Sequence, residues 1–143
     1  MTDTGTTAMA RDSARSYTAA LLAWVFPGLG HLFLGRRAKG LVLMGCLLAL
    51  FVLGVGMDSR LQLHLGLDDP LAVLFSVAQM GVGAPYVLAR LLGYEAGLVT
   101  SPNYEYGNTF TAVAGLLNVL VILDALDTAR GVRHRAPAEG EAR

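Results

Sequence analysis

The sequence predicts an all-α protein, a polytopic bundle of about four transmembrane helices. Hydrophobic residues make up 54% of the 143 residues and charged residues only 15%, whereas soluble domains carry about 25% charged residues. Four uncharged stretches are 17 to 19 residues long, close to the ~20 apolar residues that a helix needs to cross a bilayer. They do not alternate as the strands of a membrane barrel do. Because a backbone in lipid must satisfy its own hydrogen bonds, each stretch is predicted to be helical.

The first predicted helix covers residues 13–35, after a disordered tail over residues 1–12. Ser13 can cap its start. Pro27 and Gly28 lie in its middle, where a proline removes a backbone hydrogen bond and clashes with the preceding turn. We therefore expect a helix that ends near Phe26, a break, and a short segment that either completes the span or lies near the interface.

The other helices have clearer starts. The second is predicted over residues 40–57, and the third over residues 70–92, where Asp69 caps the helix and Pro70 occupies its first position. Glycines and a proline at residues 81–85 should bend the third helix. The fourth is predicted over residues 108–129 with Asn108 as its cap, and residues 131–143 form a flexible polar tail.

A turn motif connects the first two helices. It consists of an apolar helix, glycines around a histidine and an aromatic residue, then a basic residue and a glycine that opens the next helix: Pro27, Gly28, Gly30, His31, Phe33, Gly35, Arg36 and Gly40. This hairpin resembles the TM2-domain family and is similar to related small bacterial membrane proteins of unknown function. It departs from the family at Leu34, where tyrosine is usual. The resemblance covers about a third of the chain and implies a helical hairpin, but no particular activity.

Polar residues inside the predicted spans are the candidate functional residues. An acid within a span is costly and usually faces the bundle interior, so Asp124, which also matches a late-helix aspartate of TM2 proteins, is the first candidate. Asp127 lies one turn further on, and His31 follows the helix break. The alternatives are structural: an interfacial pair of Asp127 with Arg130, and a headgroup-depth hydrogen bond for His31. The amides Asn118 and Gln79 are expected to hydrogen-bond between helices.

Composition excludes several functions. The formal net charge is zero, so no basic surface is available for nucleic acid. The lone Cys46, expected to be an inert core residue, precludes an internal disulfide, and three scattered histidines leave little for a metal site. No nucleophile elbow, Walker loop or dinucleotide fingerprint is present. We expect no enzyme activity and no cofactor.

Two functional hypotheses remain. In the first, the protein is a non-enzymatic membrane component that acts through helix association, in a homo-oligomer or with a membrane protein partner. In the second, it handles lipids or ions through the broken first helix and Asp124. An arginine-rich composition favours a bacterial inner membrane. With both termini in the cytoplasm, seven basic residues outside the spans would lie on the inner side and four on the outer side, which favours this orientation. The cluster from Arg36 to Lys39 would then lie on the outer side, so the orientation stays open.

Overall fold

The computed structural model describes residues 3–131 except 65 and 67, with side chains from residue 13 onward. All regular elements in this part of the chain are helices. They are α1 (Asp3–Val25), α2 (Leu29–Phe33), α3 (Arg37–Gly56), α4 (Pro70–Met80), α5 (Ala84–Leu91) and α6 (Tyr104–Ala129). The predicted C-terminal tail lies, apart from Gly131, outside the described residues.

Two helices, α3 and α6, are long and apolar enough to cross a membrane. The pair α4 and α5 meets the same criterion only when it is taken as one segment, and it bends by 107° at its break. Helix α1 does not meet it, since its first 13 residues include Asp3, Arg11, Asp12 and Arg15. The described chain therefore has two or three candidate spans, where the sequence predicted about four.

The helix boundaries differ from the predicted ones at three starts, of which that of α3, at Arg37 instead of residue 40, differs least. Helix α1 begins at Asp3, within the predicted tail, and α6 begins at Tyr104 instead of Asn108. Asn108 lies inside α6, and its Oδ1 accepts a hydrogen bond from the backbone N–H of Arg60 at 2.8 Å, so it anchors a loop and caps no helix. The start of α4 is as predicted, because Asp69 accepts from the N–H groups of Leu71 and Ala72.

Helices α3 and α6 pack side by side in opposite directions. The end of α3 meets the start of α6, where a Cβ on Gly54 would lie 2.9 Å from the Gly107 carbonyl oxygen. The start of α3 meets the end of α6, where Lys39 contacts Asp124. We call the end of the bundle with Arg37 and Ala129 the first face, and the opposite end the second face.

Helices α1 and α2 form the first hairpin, which begins and ends at the first face. Ser13 and Tyr17 line a cleft with Ala129 at that face. Helix α1 then runs along α6 to its middle, where the Ala23 carbonyl accepts a hydrogen bond from Asn118. After the break at residues 26–28, α2 returns and the chain enters α3 at the first face.

Helices α4 and α5 form the second hairpin, which begins and ends at the second face. Asp69, before α4, and Arg90, near the end of α5, line one cavity of about 650 Å³ there. Between them the chain reaches the middle of α6, where the Gly81 carbonyl also accepts from Asn118. The break at residues 81–83 turns the chain back.

An extended segment, residues 60–64, crosses the second face under the second hairpin. Leu61 is buried in its centre. Because the segment has no neighbouring strand in the described chain, side chains satisfy its backbone. Six of its backbone groups bind side chains of the surrounding helices, namely Ser76, Gln79, Tyr86, Arg90 and Asn108. We call this the docked segment.

Candidate functional site: a mid-bundle junction and a buried ion cluster

Asn118 joins the two hairpins at the middle of the bundle. It is fully buried on α6, 14 residues after the start of that helix and 11 before its end. Its Nδ2 donates to the carbonyl oxygens of Ala23, at 3.2 Å, and of Gly81, at 2.9 Å. One amide group therefore holds the tips of two hairpins that arrive from opposite faces.

Prolines explain why these two carbonyl oxygens have no backbone N–H donor within a helix. In a continuous helix each carbonyl accepts from the N–H four residues later. Four residues after Ala23 stands Pro27, and four residues after Gly81 stands Pro85. Proline has no N–H to donate, so both carbonyls need another donor. Asn118 supplies it, and we call this contact the junction.

The two breaks are built alike. Each separates its helices by three residues, 26–28 and 81–83. Each ends in a glycine of positive φ that precedes the next helix, Gly28 at +84° and Gly83 at +81°. Gly83 also packs against the backbone oxygens of Trp24 and Val25 so closely that a Cβ would overlap them. Both features require glycine.

The ion cluster lies between the junction and the first face. His31 Nε2 is 2.6 Å from Asp124 Oδ2, and Lys39 Nζ contacts the same oxygen. The His31 side chain is fully buried, whereas Asp124 is 19% and Lys39 34% exposed. The cluster therefore joins α2, α3 and α6, with its inner end closed to solvent and its outer end open.

The chemistry of the cluster follows from its donors. An ionised carboxylate only accepts hydrogen bonds, so His31 donates to Asp124 through Nε2. Lys39 provides a positive charge that compensates the carboxylate of Asp124. His31 Nδ1, on the far side of the ring, is buried and has no hydrogen-bond partner within the described chain. The arrangement holds the ammonium of Lys39 against Asp124. Among the described residues, no group of histidine, cysteine and acidic side chains could hold a metal ion.

A family model matches residues 18–136, which is most of the chain, and its description is a family of unknown function, DUF6677. The chain belongs to the DUF6677 family. No curated protein and no solved structure matches it. The DUF6677 match does not extend to the TM2-domain family, so that resemblance stays a prediction.

Within this DUF6677 chain, four of the five candidate polar residues take part in contacts between elements. His31 and Asp124 bind each other, and the His31 ring is fully buried within the protein. Asn118 forms the junction. Gln79 donates to Thr111 and to the Arg60 carbonyl and accepts from the Gln62 N–H.

The fifth candidate, Asp127, is exposed. In the described part of the chain, it forms no ion pair with Arg130, so the pair weighed as an alternative is absent there. Cys46 is also exposed, which corrects its expected place in the core: it lies on the outer side of α3.

The turn motif has two kinds of position. Pro27, Gly28, Gly30 and Gly40 lie inside the first hairpin or at its contact with α3. Phe33 is about half exposed, and Gly35 and Arg36 form the link to α3. The motif thus forms the break and the return of the chain to the first face.

Lys39 is the member of the ion cluster that sequence reasoning missed. The sequence places it in the basic cluster from Arg36 to Lys39, which informs orientation. The sequence positions predict the contact. Lys39 lies at the start of one predicted span and Asp124 near the end of another, and antiparallel spans bring such positions to the same face.

Proposed function

We propose that the protein is a non-enzymatic, multi-pass membrane protein that handles a small cation, in a bacterial inner membrane. In this proposal the chain has four membrane-inserted segments. Helices α3 and α6 cross the bilayer, while the broken first segment and the third segment are re-entrant hairpins.

The junction carries this proposal. Transporters and channels commonly use discontinuous helices from inverted halves whose broken ends meet near the bilayer midplane. Here two proline-broken hairpins from opposite faces meet at Asn118, midway along α6. Backbone away from regular helix is tolerated at this depth only where protein or a cavity surrounds it.

The ion cluster gives the proposal its substrate class. A carboxylate, a histidine and a lysine inside a bundle are expensive and mark ion or proton pathways. Asp124 is the acidic member of this cluster, which opens toward the first face at Lys39 and closes at His31. The class is therefore cationic.

Flux in proteoliposomes tests the function. The wild-type protein should conduct a monovalent cation or protons above the rate of protein-free liposomes. Asp124→Asn should remove the flux, and the exposed acid one turn away provides the matched variant, Asp127→Asn, which should retain it. Wild-type liposomes that conduct no tested cation faster than protein-free ones would contradict the proposal.

A second candidate function, assembly through helix association, is favoured by the outer side of α3. A Cβ added to Gly45 would meet no atom within 4 Å, and Ala49 and Gly56 are exposed on the same helix. Small residues on a lipid-facing helix allow a second helix to approach closely.

Cys46 provides a test of this second candidate, because it is exposed beside Gly45. Oxidation in native membranes should produce a disulfide-linked dimer if two α3 helices pair, since a disulfide requires Cα atoms within about 7 Å. Gly45→Leu should reduce the dimer, and Cys46→Ser should abolish it. A wild-type chain that stays monomeric on oxidation argues against pairing through α3.

A further inference from the structure

We propose that an apolar groove between α3 and α5 binds one acyl chain of a membrane phospholipid whose headgroup lies at the second face. The groove is a cavity of about 650 Å³, lined by the second half of α3, by α5 and the residues that follow it, and by the break of the first hairpin. This volume is typical of small-molecule sites, which measure ~300–1,000 Å³. The inference rests on the membrane insertion proposed above, and it does not depend on cation handling.

The groove has a buried floor and exposed rims. Phe51 of α3 and Ala89 of α5 belong to one buried cluster and form the floor. Val52 of α3 and Leu88 of α5 lie next to them in the sequence, and each is more than half exposed. The two helices therefore share a buried base and leave a channel between their outer sides. In a membrane-inserted bundle this channel is continuous with the lipid-facing side of α3.

The groove is as long as one leaflet is deep. On α3 it extends from Leu48, near the middle of the helix, to Gly56, its last residue, which is ~12 Å at the rise of a helix. The hydrocarbon of one leaflet is ~15 Å deep, half of the core. Phe26, in the break of the first hairpin, lines the groove at mid-bundle. An acyl chain from one leaflet fits this length, whereas a crossing helix from a second copy would have to continue past Phe26.

The polarity changes at the outer end of the groove, as it does along a phospholipid. None of the described residues that line it is charged. Tyr94, at the outer end, is exposed, and tyrosine is typical of the boundary between hydrocarbon and headgroups. Charged side chains begin just beyond this end, because Asp58 follows Gly56 by two residues and Glu95 follows Tyr94. The groove therefore takes the hydrocarbon part of the ligand and leaves its polar part at the second face.

Packing gives the groove its affinity. Lipid tails are as apolar as the lining, so the chain gains nothing by leaving its apolar surroundings. It gains dispersion contacts with the floor and with both rims, which an empty channel forfeits. Binding should therefore depend on the acyl chain and be indifferent to the headgroup.

Native mass spectrometry of the full chain in a mild detergent tests the inference. After delipidation, three probes are titrated separately: dioleoyl-phosphatidylglycerol, dioleoyl-phosphatidylethanolamine and the short-chain dihexanoyl-phosphatidylglycerol. Gly56→Leu fills the outer part of the groove, where an added Cβ meets no atom within 4 Å. Gly45→Leu is its control, because Gly45 is equally open on the same helix but does not line the groove.

A second pair of variants removes a wall instead of adding bulk. Leu88→Ala lowers the rim on α5, and Leu91→Ala truncates an exposed leucine of the same helix that does not line the groove. Because both leucines are exposed, neither variant disturbs the buried core, so this pair tests the groove even if Gly56→Leu fails to fold.

The expected result is a loss of lipid binding in the groove variants alone. The wild type should bind one dioleoyl lipid with either headgroup, and the dihexanoyl lipid at least tenfold more weakly. Gly56→Leu and Leu88→Ala should bind the dioleoyl lipids about tenfold more weakly, a loss of ~1.4 kcal/mol, because the chain loses contacts with its walls. Gly45→Leu and Leu91→Ala should bind them as the wild type does.

Three results would overturn the inference: equal lipid binding within both pairs of variants, binding of only one of the two dioleoyl headgroups, and a lipid-free wild-type dimer that Leu88→Ala dissociates, which would assign the groove to a second copy. The flux assay separates this inference from the proposed function. Lipid binding without flux supports the groove and removes the transport role, and flux without lipid binding does the reverse.

Discussion

Asn118 shows how one side chain can compensate for two prolines. Pro27 and Pro85 each leave a carbonyl without its helical donor, and the two N–H groups of one amide bind both. The sequence predicts both helix breaks, because a proline acts on its own backbone. It does not predict that the breaks meet, because that depends on how the hairpins pack against α6.

Replacing Asn118 with alanine should destabilise the protein. Both carbonyls would lose their donor in a buried environment, which costs about 1–3 kcal/mol. Thermal unfolding in detergent measures the effect. Asn103→Ala is the matched control, because Asn103 is exposed and its side chain caps no helix. Equal stability of the two variants would argue against the junction.

Gly83 and Gly45 should respond in opposite ways to alanine. Gly83 has a φ of +81° and packs against the Trp24 carbonyl, so Gly83→Ala should cost about 2 kcal/mol or more. Gly45 faces open space in the middle of α3, and alanine there should stabilise the helix by up to about 1 kcal/mol. Unfolding midpoints in detergent compare the two, and a tolerant Gly83 would contradict the close packing.

Among the elements, the docked segment is the one whose structure the sequence left open. Residues 61–67 alternate, which predicts an extended or helical segment resting on the interface. Its pairing with side chains in place of a strand could not be inferred, because the donors and acceptors come from three different helices. The error at the start of α6 has the same origin: Asn108 looks like a cap, but its partner is Arg60 in this segment.

Hydrogen exchange should locate the side chains that hold this segment. The Gln62 N–H donates to Gln79, and the His64 N–H donates to Ser76. Gln79→Leu should speed exchange of the Gln62 amide about tenfold, as the loss of ~1.4 kcal/mol of protection implies. Ser76→Ala should do the same at His64, and each variant is the control for the other. If the Gln62 and His64 amides exchanged at the same rates in both variants as in the wild type, these contacts would be contradicted.

For the whole molecule, the sequence predicts the class and misses the path of the chain. Four apolar stretches indicate four inserted segments, but a stretch near 19 residues can cross a bilayer or fold back at a proline. The composition is the same in both cases. In the structure, Asp69 before α4 and Arg90 near the end of α5 line the same cavity, so the two ends of this hairpin lie close together.

Cysteine accessibility tests this path in membranes. In a Cys46→Ser background, single cysteines at Asp68 and Glu95, both exposed beside the second hairpin, should react with an impermeant reagent from one side of the membrane. Single cysteines at Ser13 and Arg37, which flank the first hairpin, should react from the other side. Labelling of either pair from opposite sides would show a full crossing and contradict the re-entrant hairpin.

The opposed hairpins have a consequence for the lipid bilayer itself. Each leaflet would contain two crossing helices and the two arms of one hairpin, α1 and α2 in one leaflet and α4 and α5 in the other. A chain with only two complete crossings would then displace lipid for more than two helices in each leaflet.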